Sequence, residues 1–447
     1  MQREELTGRE AAVGKTGASL RDEVTELLRR LVRLDTVNPP GNETRAAELL
    51  RDYLEPKGVA CRLLARVPER ANLVARIPGR DPDAPRLLLL SHTDTVLADP
   101  SEWSVDPWSG VLQDDHVWGR GALDMKGQVA ASAVAMAELV RAGFEPEGDV
   151  IFAATADEEV GDEFGLSWLC NEHPESVRAA WCINEGGGDR IEIGGRVLYL
   201  CATSEKASSP FRIRVHGKSG HASMPTIGEN ALVKAAPLLE RLASLALPLR
   251  LLPETSAFLT TVLGETLAPD EALERLRAVS PSAAAMVEPM LRTTISPTQV
   301  AASEKRNVIP GMCDIDCDCR ILPGETQQDI EGIIRTGLGA GDYEFEWLQP
   351  PEGGTRSVVE TPLWQAIESF LADDDPGAVP VPILLPGFTD STYLRTRFGT
   401  VAYGFFPMRT MDPELAATLV HSADERAAVA DLELGTRFLI HVARELA

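Results

Sequence analysis

The sequence predicts an α/β protein built on a mostly parallel sheet and interrupted by a smaller α+β insert. Three observations carry that prediction. Short apolar runs alternate with helical patterns up to residue 205, the pattern changes after residue 206, and the first pattern returns near Gln327. Alternation of the first kind argues for parallel strands joined by crossover helices. The chain has 447 residues, too many for one ordinary core. It is 44% hydrophobic and 25% charged, which excludes wholesale disorder.

The elements follow in order. Residues 1–18 are polar and glycine-bearing and read as frayed. Ser19 caps a helix whose Leu20, Val24, Leu27, Leu28 and Leu31 fall at helical spacing. Asn38-Pro39-Pro40-Gly41 breaks the chain, and a second helix covers residues 43–57. Residues 72–77, 86–91, 149–155 and 180–184 read as strands, with a small-residue helix at 128–142. In the middle, 210–217 alternates like a half-exposed strand, 229–245 reads as a helix, and 255–262 and 311–321 read as strands. Strands at 343–347 and 400–405 are expected in the returning layer, with a last helix from about Asp424. The simplest division is 1–205 and 324–447 as one discontinuous domain, with 206–323 as the insert.

Charge narrows the function. Lys plus Arg is 43 against 68 Asp plus Glu, a net charge of −25. Such a surface repels phosphate backbones and anionic lipid, so no nucleic-acid or membrane partner is expected. No apolar run approaches the roughly 18–20 residues of a membrane span. The first residues lack the basic-then-apolar layout of a secretion signal. Seven scattered cysteines fit reduced thiols, so the expected location is cytoplasmic. Cys313, Cys317 and Cys319 share one face of a strand and read as packing, while Asp314, Asp316 and Asp318 share the other and are expected in solvent. His116, His173, His216 and His441 stand outside every polar cluster and read as structural or exposed.

Three of the predicted strands end in polar clusters: Ser91-His92-Thr93-Asp94, Thr155-Ala156-Asp157-Glu158-Glu159 and Asn184-Glu185-Gly186-Gly187-Gly188. Ligands of open α/β sheets bind beyond the carboxyl ends of the strands, so these clusters meet at one rim. Gly119-Arg120-Gly121-Ala122-Leu123-Asp124 superficially mimics a dinucleotide motif, but Asp124 replaces its third glycine and would repel a pyrophosphate. His with several carboxylates instead suits divalent metal, zinc first. Adjacent Glu158 and Glu159 could divide two jobs, one ligating and one moving protons.

Together with His421-Ser422-Ala423-Asp424-Glu425, these motifs resemble the M20 metallopeptidases, in the right order from about residue 20 to 445. The resemblance implies a zinc-peptidase catalytic domain with an inserted lid and dimerisation domain. It implies two divalent ions per chain, zinc with cobalt or manganese possible. One ion would be held by His92, Asp124 and Glu185, the other by Asp124, Glu159 and His421. Asp94 would orient His92, and Glu158 would be the general base and acid. Gly217-Lys218-Ser219-Gly220-His221 looks like the family's lid motif, whose histidine, here His221, would serve the second subunit of a homodimer. Asn307, Arg320 and the Gly387 loop would grip a substrate carboxylate, although Phe388 departs from the usual second glycine of that loop. Hinges are implied near 204–206 and 323–325. Glu rather than Asp at position 185 leans toward an acylase or carboxypeptidase acting on N-acyl amino acids or small peptides. The alternative is a dipeptidase or aminopeptidase of the same fold.

Overall fold

The computed structural model describes residues 19–161, 163–245 and 247–447. The reading of residues 1–18 lies outside them. A nine-stranded sheet forms the centre. Its order is Ala60–Ala65, Ala71–Ile77, Val150–Thr155, Leu87–His92, Trp181–Asn184, Val401–Gly404, Arg196–Glu205 and Val379–Leu385, with Arg190–Ile193 beside Arg196–Glu205. Leu87–His92 runs parallel to both Val150–Thr155 and Trp181–Asn184, and Val401–Gly404 runs parallel to Trp181–Asn184.

Both faces of this sheet are covered, which is why its strands read as continuous apolar runs. Leu87 and Leu89 pack in the core on one face, and Leu88 and Leu90 in the core on the other. The first face carries the helices Leu20–Val32, Lys126–Arg141, Pro362–Asp374 and Val429–Leu446. Lys126–Arg141 is buried almost all round. Its alanines let Leu20–Val32 and Val429–Leu446 close on it from two sides. Ser19 accepts the Asp22 N–H at the head of the first helix, as its position predicted.

The 255–262 expectation is wrong: these residues lie in the helix Pro253–Leu263. Thr, Val and Phe favour strands only weakly, and tertiary burial overrides that preference. Pro253 opens the helix, Thr255 Oγ1 accepts the Leu252 N–H, and Gly264 closes it at φ 81°. Thr255, Phe258, Leu259 and Val262 are buried at helical spacing. With the helices Pro269–Val279 and Pro281–Val287 they cover the central sheet over Leu198, Leu200, Val381 and Ile383.

A second sheet runs Tyr343–Trp347, Phe211–His216, Met312–Ile321, Ala207–Ser208 and Glu352–Gly353, with Thr294–Ala301 also on Met312–Ile321. Two elements expected in the returning layer belong here instead. Tyr343–Trp347 pairs with Phe211–His216, and Gln327–Leu338 buries Ile330, Ile334 and Leu338 beside the helix Ala231–Ala243. Aromatic stacking explains it: Phe345 and Trp347 both pack on Phe211. The chain thus returns to the central sheet not at 323–325 but at 353–357, where Thr355 donates to Glu205 and Ser357 N–H to Thr203.

Cys313, Cys317 and Cys319 are buried as packing. The acids opposite them are not simply solvated. Arg214 pairs bidentately with Asp314 and Arg212 with Asp316, a cross-strand ladder set by the register. The last helix starts at Val429, because His421 and Asp424 adopt φ near 60° and Arg426–Ala428 pairs as a strand with His116–Trp118. Among the described residues no helix is long and apolar enough to cross a membrane.

Candidate metal centre

The ends of three parallel strands supply the first half of the site. His92 closes Leu87–His92, Glu158 and Glu159 follow Val150–Thr155, and Glu185 follows Trp181–Asn184. The glycines after Glu185 have a spatial reason. A side chain at Gly188, φ 113°, would meet the Phe406 carbonyl at 1.8 Å. Asp124 precedes the helix Lys126–Arg141 across a cis peptide to Met125.

These side chains converge with His421 into two triads that share Asp124. His92 Nε2 lies 3.1 Å from Asp124 Oδ1 and 3.8 Å from Glu185 Oε2. His421 Nε2 lies 3.1 Å from Asp124 Oδ2 and 3.1 Å from Glu159 Oε2. One carboxylate therefore faces two imidazoles, one through each oxygen. The ligand atoms of each triad fall within 4.8 Å of one another, a cage for a divalent ion. Glu159 Oε1 is buried and has no hydrogen-bond partner. A carboxylate oxygen is not left so without penalty, and a cation beside it removes the penalty. The donor set and this orphaned oxygen fit metal.

Electrostatics agree. Burial pulls His92 down, but Asp124, Asp94 and Glu185 outweigh it and hold the ring well above its usual value. Hydrogen bonds that the ring donates to Asp124 and then Glu159 push His421 up to about 10. Burial, then the Glu185 charge, pushes Glu158 well above the usual carboxylate range. A shift in that direction suits a carboxyl that is to carry a proton during catalysis.

Asp94 stands behind the rim. His92 Nδ1 lies 3.4 Å from its Oδ1, and its oxygens accept the N–H groups of Glu158 at 3.2 Å and Glu159 at 3.1 Å. One carboxylate thus fixes three site residues. Sequence reasoning missed what fixes Asp94. Asn38 Nδ2 donates to Asp94 and to Asp157, both at 2.9 Å. Arg70 grips Glu43 bidentately and reaches Asp157 at 2.8 Å. Asn38 read as part of a turn, and nothing near Arg70 in sequence marks it. Glu425 was noticed only as part of a motif. Its buried carboxylate accepts the N–H groups of Gly121, Leu123 and Asp124 and a 2.6 Å bond from Arg120.

The other expected residues lie elsewhere. His221, on the short strand pair Gly220–His221 and Val308–Ile309, and Asn307, just before the second of these strands, are exposed, and the Ala222 N–H donates to the Asn307 carbonyl. Arg320 lies on Met312–Ile321 and donates Nε to Asp318 at 3.0 Å. Gly387 is exposed past the end of Val379–Leu385. Among the described residues no hydrogen bond or ion pair ties these four to the cluster. Beyond Gly387, Thr389 donates to Glu205 and Asp390 accepts from Thr155.

The sequence matches peptidase family M20/M25/M40 over residues 88–445. The chain belongs to this family. The M20 chain is 25% identical over 387 residues to the human N-fatty-acyl-amino acid synthase/hydrolase PM20D1, covering 82% of this chain and 75% of that protein. It is 28% identical over 407 residues to pig aminoacylase-1, covering 90% and 89%. The M20 fold is shared with the metallo-carboxypeptidase Sso-CP2 from Sulfolobus solfataricus, at TM-score 0.71 and 18% identity over 95% of this chain and 99% of that one. The chain is therefore an M20 hydrolase, of a family whose members include peptidases and amidohydrolases.

Proposed function

We propose that this enzyme is a two-metal amidohydrolase that cleaves N-acyl amino acids, or small peptides, bearing a free carboxylate. The observation that carries the reading is the pair of triads joined by Asp124, with Glu158 beside them and outside both. His92, Asp124 and Glu185 would hold one divalent ion, and Asp124, Glu159 and His421 the other, zinc before cobalt or manganese. Metal held by these residues would supply polarisation of an amide carbonyl and a lowered pKa for water. Glu158 takes the proton of the attacking water and returns it to the departing amine. Asp94 keeps the His92 ring and the Glu158–Glu159 backbone in place.

The second sheet serves as the lid in this reading. His221 stabilises the oxyanion, and Arg320, Asn307 and the Gly387 loop hold the substrate carboxylate, Arg320 through its planar fork. The exposure of His221 supports service in a second copy's site. Exposed Met224, Ile227 and Val233 beside it support a homodimer through the lid. The amide preference is supported by Glu185 and by the relatives whose names include acylase and N-acyl hydrolase activities. Seven unpaired cysteines support a reducing, cytoplasmic setting.

The test is amine release by zinc-, manganese- or cobalt-loaded protein. N-acyl amino acids should be cleaved and their C-terminal amides should not. Glu158→Ala should lose at least about 10²-fold in kcat with metal still bound. Turnover of unblocked dipeptides alone would move the assignment to a dipeptidase.

A further inference from the structure

The segment 38–41 reads in sequence as a break between two helices. In the fold it packs behind the turn that carries Glu158 and Glu159. Asp157 lies between the strand Val150–Thr155 and those two glutamates, and its φ is 68°. Asp enters the left-handed region more readily than most residues, but it stays there only where its surroundings hold it. Every polar atom of Asp157 is engaged. Oδ1 accepts from Asn38 Nδ2 at 2.9 Å and from Arg70 Nη2 at 2.8 Å. Oδ2 accepts the Phe164 N–H at 3.2 Å, and the carbonyl accepts the Gly161 N–H at 3.2 Å. The Asp157 N–H donates to Glu43 Oε1 at 3.3 Å.

Arg70 joins these contacts. Its Nε and Nη2 donate to Glu43 at 2.6 and 2.7 Å, and its Nη1 donates to the Pro40 carbonyl at 3.1 Å. Its Cζ lies 4.8 Å from the centre of the Phe164 ring. A planar fork serves two carboxylates, a carbonyl and a ring face at once, and an ammonium does not. Arg70, Glu43 and Asp157 are all buried, and none of them belongs to either triad. Gly41 makes the room: a side chain there would meet Arg70 Nε at 2.2 Å.

We propose that Arg70, backed by Glu43, Asn38 and the space at Gly41, is a positioning residue of the hydrolytic reaction. It holds Asp157 in its left-handed turn and so aims Glu158 at the attacking water and Glu159 at the His421 triad. The inference rests on the roles proposed for Glu158 and Glu159 and deepens that reading. Both side chains follow directly on Asp157, so their direction turns with its φ. Asp94 holds their N–H groups from the other side, and Asn38 bonds both aspartates. His92 reaches Asp124 and Glu185 without any of these contacts. Release of Asp157 therefore acts on the proton carrier and on one triad, and spares the other.

The experiment compares Arg70→Lys and Gly41→Ala with the parent. Arg70→Lys keeps the charge and removes the fork. Gly41→Ala changes no charge and displaces the guanidinium. Circular dichroism and Tm report the fold, and amine release from an N-acetyl amino acid gives kcat and KM. Cobalt titration followed by absorption reports the two ions, and His421→Ala identifies the component of its own triad. Both variants should keep the parental spectrum and lower kcat about 10–100-fold with KM within about threefold. Cobalt in the His421 triad should weaken by a similar factor while the His92 triad keeps its ion. Parental kcat with both ions retained and only Tm lowered overturns the proposal, and so does equal weakening of both ions. Parental activity in Glu158→Ala overturns the reading of Glu158 itself, and this proposal with it.

Discussion

At the residue scale, the centre is held by buried charges that satisfy one another. Asp94 faces His92 and the backbone of Glu158 and Glu159, and Asn38 and Arg70 continue the network to Glu43. Asp189 has no ion pair among the described residues, and its titration gives a measurable consequence. Burial pushes its carboxyl from 3.8 to about 6, so the folded chain keeps its proton while the unfolded chain releases one. Stability from this group is therefore present below 3.8 and is lost as pH rises through about 6. Asp189→Asn should match the parent near pH 4 and exceed it at pH 7 by on the order of 2 kcal/mol, read from urea melts. The convergence of His92, Asp124, Glu159 and Glu185 was legible because those residue types cluster in the sequence beside strand ends or glycines, and His421 joined them through the family resemblance of its motif. Asn38 and Arg70 were not, because their meaning depends on partners reached only by folding: Arg70 lies 87 residues from Asp157.

At the element scale, the segment leading to Asp124 is a loop without a regular ladder. Glu425 substitutes for one by gathering three of the four N–H donors of residues 121–124, 301 to 304 residues away in sequence. Glu425→Gln replaces one acceptor oxygen by an NH₂ group facing N–H donors and leaves Arg120 with a neutral partner. It should weaken metal binding by about 10–100-fold while preserving the fold, measured by chelator competition with circular dichroism as the control. Elements whose composition matched their final packing were read correctly, the continuous apolar run Leu87–His92 and the small-residue helix Lys126–Arg141 among them. Pro253–Leu263 was misread because its Thr, Phe and Val content outweighed the proline and glycine at its ends. Tyr343–Trp347 was read as a strand but placed in the wrong sheet, since alternation gives a strand's faces and not its neighbour.

At the scale of the whole molecule, the lid reading requires a second copy. His221→Ala and Glu158→Ala chains, each inactive, should regain about a quarter of parental activity when mixed under subunit exchange at equal amounts, since half the dimers are mixed and each mixed dimer holds one intact site. Assaying the mixture against each variant alone checks this, and no recovery would place His221 in its own chain's site. Sedimentation velocity on each variant shows whether the dimer forms at all.

The path of the backbone between the two sheets has a mechanical meaning. Two crossings, such as those implied at 204–206 and 323–325, would let the second sheet swing and swivel like a weight on a loose strap. The chain instead crosses four times: at 205–207, between Ala231–Ala243 and Pro253–Leu263, between 291 and 294, and at 353–357. The middle pair ties the second sheet to the block 253–287, whose last helix, Pro281–Val287, walls a cavity of about 870 Å³ beside Asp124 and Glu185. Four spaced tethers would resist twist more than two, as a door on several pins keeps its plane. A displacement of the second sheet would therefore be passed on to Pro281–Val287, and through it to one wall of that cavity.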